Sequence, residues 1–501
     1  MRLLLVVVLV ACGGSSSAPT AAPKPVEIPM SDPHEYEIER ISRGAGQAIF
    51  ERTGIGDPYR TGVPYPIYLA LLAAFPDQFG ADFEALAGRF GLIARVADPA
   101  SEDPDRRAGL PVGMHLTTDP ITGVPFVVTN CALCHAEKLR WPGGEAVVYG
   151  LGNKRVKIHA YDRAFSAITK RLTVEKLTRL ANEAAAKHAI KWPDEYRAAF
   201  VGAAIRELKL RATVRGELHA RTALDPPGRV ATIESFAIVL AQLTGKTVAF
   251  SPNVGWAKIP DVIGYAQRTT LSWDGSGEGP LDLLAVEADV AAGVRIEWLE
   301  QHPFQGPSLG AYLRQPPRRP GFPGPIDRAK AERGRALFEN HCEDCHGSYA
   351  ADGRVLDFEE RVVAIDDLGV DPARMFAPTE SFERVANDRD LTRGYTRFKR
   401  SAGYVPPVLT NVWARAPYGH AGQWPTLAVL ATEPAKRPTR YVALVDDLYD
   451  LAAVGVSWSA SPQVSGFVHD GSKPGFSVLG HPFLADLGAD AVAVIEYLKT
   501  L

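Results

Sequence analysis

Two pentapeptides constrain this chain more than anything else in it: Cys131-Ala-Leu-Cys134-His135 and Cys342-Glu-Asp-Cys345-His346. Two thiols three positions apart fall on one turn and can reach the two vinyl groups of a single porphyrin. The adjoining histidine then faces the iron as its proximal ligand. The pair of motifs therefore predicts two covalently bound haem c groups, attached through Cys131, Cys134, Cys342 and Cys345 and ligated by His135 and His346. Two other chemistries use the same thiols. A four-cysteine zinc site has to join pairs about two hundred residues apart and leaves both histidines unexplained. A redox disulfide in each pair does not account for a histidine at that place twice in one chain.

The fifth cysteine, Cys12, belongs to a different kind of segment. Met1-Arg2 precedes nine apolar residues, Leu3 to Ala11, and Cys12 is followed by Gly-Gly-Ser-Ser-Ser. A positive start, a short apolar run and a small residue before the cut predict an export signal over residues 1–11. Nine residues are too few to cross a hydrocarbon core. Leu9-Val10-Ala11-Cys12 resembles the bacterial lipobox, which implies lipidation at Cys12 and a membrane anchor through acyl chains. Residues 12–35, rich in Gly, Ser, Ala and Pro, then read as a flexible tether. Gly13 rather than Asp after the cysteine implies, by analogy with lipoprotein sorting, an exported protein on the periplasmic side of, or at, the outer membrane.

Lys plus Arg at 55 against Asp plus Glu at 58 leaves a net charge of −3, so no basic excess points to a nucleic-acid partner. With 39 Pro and 45 Gly the chain is expected to be rich in loops. Gln315 to Pro325 carries five prolines and is expected to be a linker, residues 315–326, between an N-terminal haem c domain, 36–314, and a C-terminal cytochrome c domain, 327–501. After it, Asp327 is a candidate N-cap for a helix over Arg328 to His341, with Ala331, Leu337 and Phe338 inward. Asp490 to Leu501 predicts a closing helix whose apolar face holds Val492, Val494, Ile495, Tyr497 and Leu498. A helix running into C-x-x-C-H and a final helix across it, meeting near Gly334, Phe338 and Tyr497, resemble the cytochrome c fold. The fold class expected is mainly α and loop-rich: two cytochrome c-like haem units, the first enlarged by helical and irregular insertions. Pro64 to Phe90 and Tyr161 to Val214 carry helical periodicity; no internal repeat is visible beyond the two motifs.

What each iron does depends on its sixth ligand, since two strong protein ligands favour electron transfer and an open face admits O2 or peroxide. Past the second motif the candidates are Met375, His420, His469 and His481. Near the first, His115, His159 and Met114 are at hand, each expected to be an ordinary structural residue. Trp256 and Trp273 are candidate pocket walls or electron stepping points. Glu137, Glu145 and Asp162 are taken as solvated carboxylates.

Ala416-Pro-Tyr-Gly-His420-Ala-Gly-Gln-Trp-Pro-Thr-Leu427, preceded by Pro406-Pro-Val-Leu-Thr-Asn-Val-Trp413, resembles a segment of the di-haem cytochrome c peroxidase superfamily. Leu479-Gly-His481-Pro-Phe, Glu496 to Leu501, and Leu110-Pro-Val-Gly113 through His135 are similar to its rubber-oxygenase-like branch. The resemblance covers residues 105–160 and 327–501 and fades over 160–260. It implies an open distal face at the first haem and two histidines at the second. Peroxidase relatives carry a methionine soon after the histidine of this segment; here none occurs beyond Met375, so His481 is the first choice for distal ligand and His420 the second. His469 reads as a surface histidine. The function implied is an oxidoreductase whose first haem meets O2 or peroxide while the second transfers electrons, with a redox partner protein or a small oxidant as partner. The alternative is a non-enzymatic, membrane-tethered electron-transfer cytochrome.

Overall fold

A computed structural model describes residues 43–314, 319–446, 448–461 and 463–501. The expected signal, Cys12 and the tether lie outside them, as does the first part of the linker. The architecture is mixed rather than mainly α, with 43% helix and 13% strand among abundant loops.

The C-terminal unit is built on its two end helices. Asp327 caps the helix Arg328–His341 by accepting the Lys330 amide at 3.0 Å. Ala331, Gly334 and Phe338 recur at helical spacing and are buried against the closing helix Ala491–Leu498. Gly334 sits at the crossing: a Cβ there would lie 1.8 Å from the Ala493 carbonyl oxygen, so only glycine lets the backbones approach. Next to it Phe338 and Tyr497 pack with ring centres 5.3 Å apart. Glu496 ties the ends together, accepting the Asp327 amide at 2.6 Å and pairing with Lys499 at 2.7 Å. One expectation fails here. Val492 is 55% exposed, because the face turned to the first helix is Ala493, Val494 and Tyr497.

The same crossing occurs a second time, which the sequence did not reveal. Helix Arg43–Glu51 crosses helix Gln305–Arg314, and a Cβ on Gly46 would lie 1.9 Å from the Ser308 carbonyl oxygen. Phe50 and Tyr312 pack at 5.0 Å. Gly46-x-x-x-Phe50 against Ser308-x-x-x-Tyr312 thus repeats Gly334-x-x-x-Phe338 against Ala493-x-x-x-Tyr497. The two crossings differ in their distance from a motif: Cys342 comes four residues after Phe338, whereas Cys131 comes eighty-one after Phe50.

The intervening chain is what makes the fold mixed. Helix Tyr65–Ala74, buried on nearly every side, packs against Val174–Lys187, and Asp194–Val214 packs against Ile158–Ala167 and Val174–Lys187. Met114–Thr118 and Pro125–Thr129 pair antiparallel, with Val63–Pro64 added on the far edge. The first haem motif is therefore approached from a strand, not from a helix as at the second, because Phe126, Val127, Val128 and Thr129 are β-branched or aromatic. It leaves into a hairpin, Ala136–Trp141 with Gly144–Tyr149. The described part of the linker has no regular structure, yet it is pinned: Arg319 is buried, and Phe322 packs edge-on to Trp413 at 5.6 Å.

Candidate haem sites

At the first motif, Asn130 ends the strand and its side chain accepts the Ala132 amide at 3.1 Å, which starts the turn Cys131–Leu133. At the second, Cys342 terminates helix Arg328–His341 by donating its amide to Phe338 at 2.8 Å, and Glu343–His346 makes one further turn. Different local structures thus present the same arrangement of two thiols and an imidazole.

The two motif histidines share their outer contact. His135 Nδ1 lies 3.1 Å from the carbonyl oxygen of Pro260, and His346 Nδ1 lies 2.8 Å from that of Pro407. A carbonyl only accepts, so each imidazole carries its proton on Nδ1 and leaves Nε2 with a lone pair for a metal. A hydrogen bond of this kind fixes ring orientation and raises ligand basicity. Burial pushes His135 down to about 4, against the opposing pull of the Pro260 bond and Asp261, and likewise lowers His346. Both rings are neutral near pH 7, the form that binds iron.

The thiols behave consistently with this. Burial raises Cys131 most strongly, lifts Cys134 to about 12 and lifts Cys342 to about 11. Raised pKa values at Cys131, Cys134 and Cys342 are the reverse of what an exchanging redox pair needs. Among the described residues no three His, Cys, Asp or Glu side chains come together as a metal cluster, so the four motif cysteines are not gathered at one site.

A cavity of about 410 Å³ opens beside the second motif. Cys342, Cys345 and His346 line it, and so do His481, His420, Trp424 and Tyr418. His481 stands opposite His346 with ring centres 6.2 Å apart. Two imidazoles on opposite faces of one iron, each nitrogen about 2 Å from the metal, have centres about 6 Å apart, so this pair fits a haem iron between them. His481 Nδ1 is buried without a partner, and burial, with His346 close by, pushes its pKa down to about 3. Its backbone is tightly held. Arg437 donates to the carbonyls of Gly480 at 2.6 Å, Val478 at 3.0 Å and His481 at 3.1 Å, while the His481 amide donates to Leu368 at 2.7 Å. Gly480 packs on Gly369, where a Cβ would come within 2.5 Å of backbone.

His420 is placed differently. It stacks flat on Tyr404, ring centres 4.4 Å apart, its carbonyl accepts the Lys258 amide, and burial pushes it down to about 3. His469 corrects an expectation: it is not on the surface but 1% exposed, because Tyr441 and His469 pair in the strands Arg440–Ala443 and Val468–Asp470. Its Nε2 donates to the Phe476 carbonyl at 2.7 Å. Met375 is buried, its amide donating to the Tyr404 hydroxyl.

Around the first motif the other histidines are held by hydrogen bonds or ring contacts, or lie at the surface. His115 Nδ1 pairs with Asp105 at 2.8 Å, and His159 Nε2 accepts the Ala231 amide at 2.9 Å. His219 pairs with Asp162, His302 stacks on Trp298, and His188 is exposed at a helix end. Met114 lies in the apolar core that includes Leu133. Phe50, Ala132, Ala136, Tyr265, Leu281 and Tyr312 cluster around Cys131. Glu137 is not solvated as expected. It is 2% exposed, holding the Lys154 amide at 2.8 Å and its ammonium at 3.2 Å.

Several residues here escaped sequence reasoning, while one, Trp273, was a candidate pocket wall. Lys258, Pro260, Asp261, Tyr265, Arg268 and Trp273 precede the linker yet line the cavity of the second motif, so its wall is shared by both units. Trp273 is fixed there by donating to the Lys258 carbonyl at 2.9 Å, whereas Trp256 packs away with Ala231 and Phe476. Asp289 is buried near Cys131, bound by Gln305 at 3.0 Å and pushed up to about 7 by burial. Pro260 and Asp261 are separated from His135 by 125 residues or more, and no local pattern marks them.

Residues 403–442 match the family described as RoxA-like, cytochrome c-like. The match contains Pro407, Arg415 and His420 and supports a cytochrome c relationship, hence covalently bound haem c and electron transfer. Two proteins of Sinorhizobium fredii (strain NBRC 101917 / NGR234), both called uncharacterised, are similar over longer stretches. One, y4iM, is 28% identical over 298 residues, which is 48% of this chain and 64% of that protein. The other, y4iJ, is 24% identical over 251 residues, 37% of this chain and 41% of that protein. The chain thus spans less than two thirds of either curated relative.

Proposed function

We propose that the chain is an exported two-haem c-type cytochrome, with an oxidoreductase site at the first haem and an electron-transfer site at the second. The observation that carries this is the matched pair of anchors: His135 to Pro260 and His346 to Pro407, each leaving Nε2 for iron beside its own C-x-x-C. Cys131 and Cys134 hold one haem, Cys342 and Cys345 the other. His481 is the sixth ligand of the second haem, on the strength of its spacing from His346, and His420 is a wall of the same cavity.

When bound, haem supplies a one-electron couple and, where its sixth position is open, a site for O2 or peroxide. This chain's residues decide which of the two applies. Arg437 and Gly480 hold the backbone that carries His481, which would ligate the second haem, and Trp424 and Leu484 line the apolar wall of the same cavity. An open sixth position at the first haem rests on the resemblance to the rubber-oxygenase-like branch, since His115 and His302 are held through Nδ1, the same nitrogen that anchors His135. The small oxidant is O2 or a peroxide, in line with the resemblance to the rubber-oxygenase-like branch of the di-haem peroxidase superfamily. A redox protein is the partner for the second haem. Export, the signal over 1–11 and lipidation at Cys12, at or facing the outer membrane, belong to the same proposal and rest on the sequence of that segment.

Intact-mass measurement of the protein matured in a haem-attaching host tests the core of this reading. A mass increased by two haems, lost from one site at a time in Cys131→Ala/Cys134→Ala and Cys342→Ala/Cys345→Ala variants, is expected. A single haem in the parent protein overturns it.

A further inference from the structure

The two proximal anchors are joined to each other. Pro260, whose carbonyl accepts the His135 proton, is followed by Asp261, and Asp261 is buried in an ion pair with Arg415 at 2.6 Å. Arg415 Nη1 donates to the Val408 carbonyl at 2.5 Å, and its Nη2 donates to Thr410. Val408 in turn adjoins Pro407, whose carbonyl accepts the His346 proton. From one proximal imidazole to the other the route therefore runs through the carbonyls of Pro260, Val408 and Pro407, one carboxylate and one guanidinium. Its non-covalent steps are two imidazole hydrogen bonds, one ion pair and one guanidinium–carbonyl bond.

The route is built rigidly and away from water. The side chains of Asp261 and Arg415 are 4% and 9% exposed. Asp261 is gripped from its other side by Arg319, through two bonds of 2.7 and 2.5 Å, and the Arg319 side chain is 3% exposed. Burying such ions is costly unless they are paired in good geometry, and truncating one partner leaves the other uncompensated. A surface-type linkage would have served if the purpose were only to hold two units together; clasps of that kind exist already, such as Arg155 to the Asp446 carbonyl at 2.9 Å. Pro260, Asp261, Pro407, Val408 and Arg415 all also line the cavity of the second motif.

We propose that the Asp261–Arg415 pair couples the two haems, as a positioning pair that sets both proximal hydrogen bonds and as a bonded path between the two proximal imidazoles. This rests on the two-haem reading above. The reaction it serves is a single electron passing from one iron to the other: one is oxidised, the other reduced, and no proton or covalent bond changes hands. Strength of the N–H···O=C bond tunes how much charge the proximal imidazole gives its iron. A change at the pair is therefore felt at both irons, although neither residue touches a haem ligand directly.

The test uses the full-length, haem-loaded protein and the variants Asp261→Asn and Arg415→Lys, with Arg319→Gln to loosen Asp261 from outside the route. Two quantities are read: the midpoint potential of each haem by spectroelectrochemistry, and the rate of electron exchange after flash photolysis of the half-reduced carbon monoxide form. In each variant both potentials are expected to shift, and the exchange rate to fall at least tenfold for Asp261→Asn. Should Asp261→Asn fail to mature, Arg415→Lys, which keeps the charge and loses the fork, carries the same expectation with a smaller fall. Potentials that move at one haem alone, or an exchange rate within twofold of the parent, overturn the coupling while leaving two haems in place. A parent protein with one haem overturns this proposal together with the reading beneath it.

Discussion

At the scale of single residues, the histidines divide by what their ring nitrogens can reach. His135 and His346 each spend Nδ1 on a proline carbonyl, His159 and His469 spend Nε2 on backbone, and His481 and His420 line the cavity with Nδ1 and Nε2 respectively buried without a partner, of which His481 faces His346. His481→Ala is accordingly expected to convert the second haem from low spin to high spin in the ferric electron paramagnetic resonance spectrum, whereas His420→Gln leaves that signal low spin. The opposite pattern makes His420 the ligand. The structural histidines also impose a pH effect. Burial lowers His159 to about 4 and His469 to about 3 in the folded chain, while an unfolded histidine takes up its proton near pH 6.5. The unfolded state then binds more protons below pH 6.5, so the stability these groups contribute is intact above that pH and falls as the pH drops toward 4. Denaturant midpoints at pH 7.5 and 5.0 measure this; His469→Gln is expected to narrow the difference between them, and an unchanged difference contradicts the assignment.

Elements show where the chain is legible and where it is not. The two C-x-x-C-H motifs could be read directly because covalent attachment demands a fixed local spacing. Helix Arg328–His341 was equally readable, since its cap, its periodicity and its motif are contiguous. Val492 was misplaced because an apolar residue at the right period is not obliged to face the core; Gly334 opposite lets Ala493 in, and that contact sets the rotation of the helix. The partner crossing of Arg43–Glu51 with Gln305–Arg314 was invisible for a plainer reason. Its two helices are brought together across more than 250 residues, and the motif it serves is displaced by an inserted sheet and helices. Truncation separates the two crossings. Phe50→Ala and Phe338→Ala are each expected to cost about 3–5 kcal/mol. Phe50→Ala should perturb the spectrum of the first haem alone and Phe338→Ala that of the second alone; perturbation of the wrong haem by either contradicts the pairing of crossing with site.

At the scale of the whole molecule, the linker does not separate the surroundings of the two motifs. Six residues that precede it wall the cavity of the second motif, and Arg268 reaches Glu360 across the divide at 3.0 Å in a pair that is nearly fully buried. Lys154 lies over the Tyr449 ring at 5.7 Å. A fragment of residues 327–501 is therefore expected to carry a haem with altered ligation and a lowered thermal midpoint, measured by visible-region circular dichroism. A fragment indistinguishable from the second haem of the intact protein contradicts the shared wall. This dependence was not legible in the sequence, because residues such as Pro260 and Asp261 act through position and not through a motif.

The proposed division of labour between a closed second haem and an open first one is tested most directly by carbon monoxide titration of the fully reduced, haem-loaded protein. One molecule bound per chain is expected, with the change confined to the haem on Cys131 and Cys134. Uptake at neither haem, or at the haem on Cys342 and Cys345, contradicts that division.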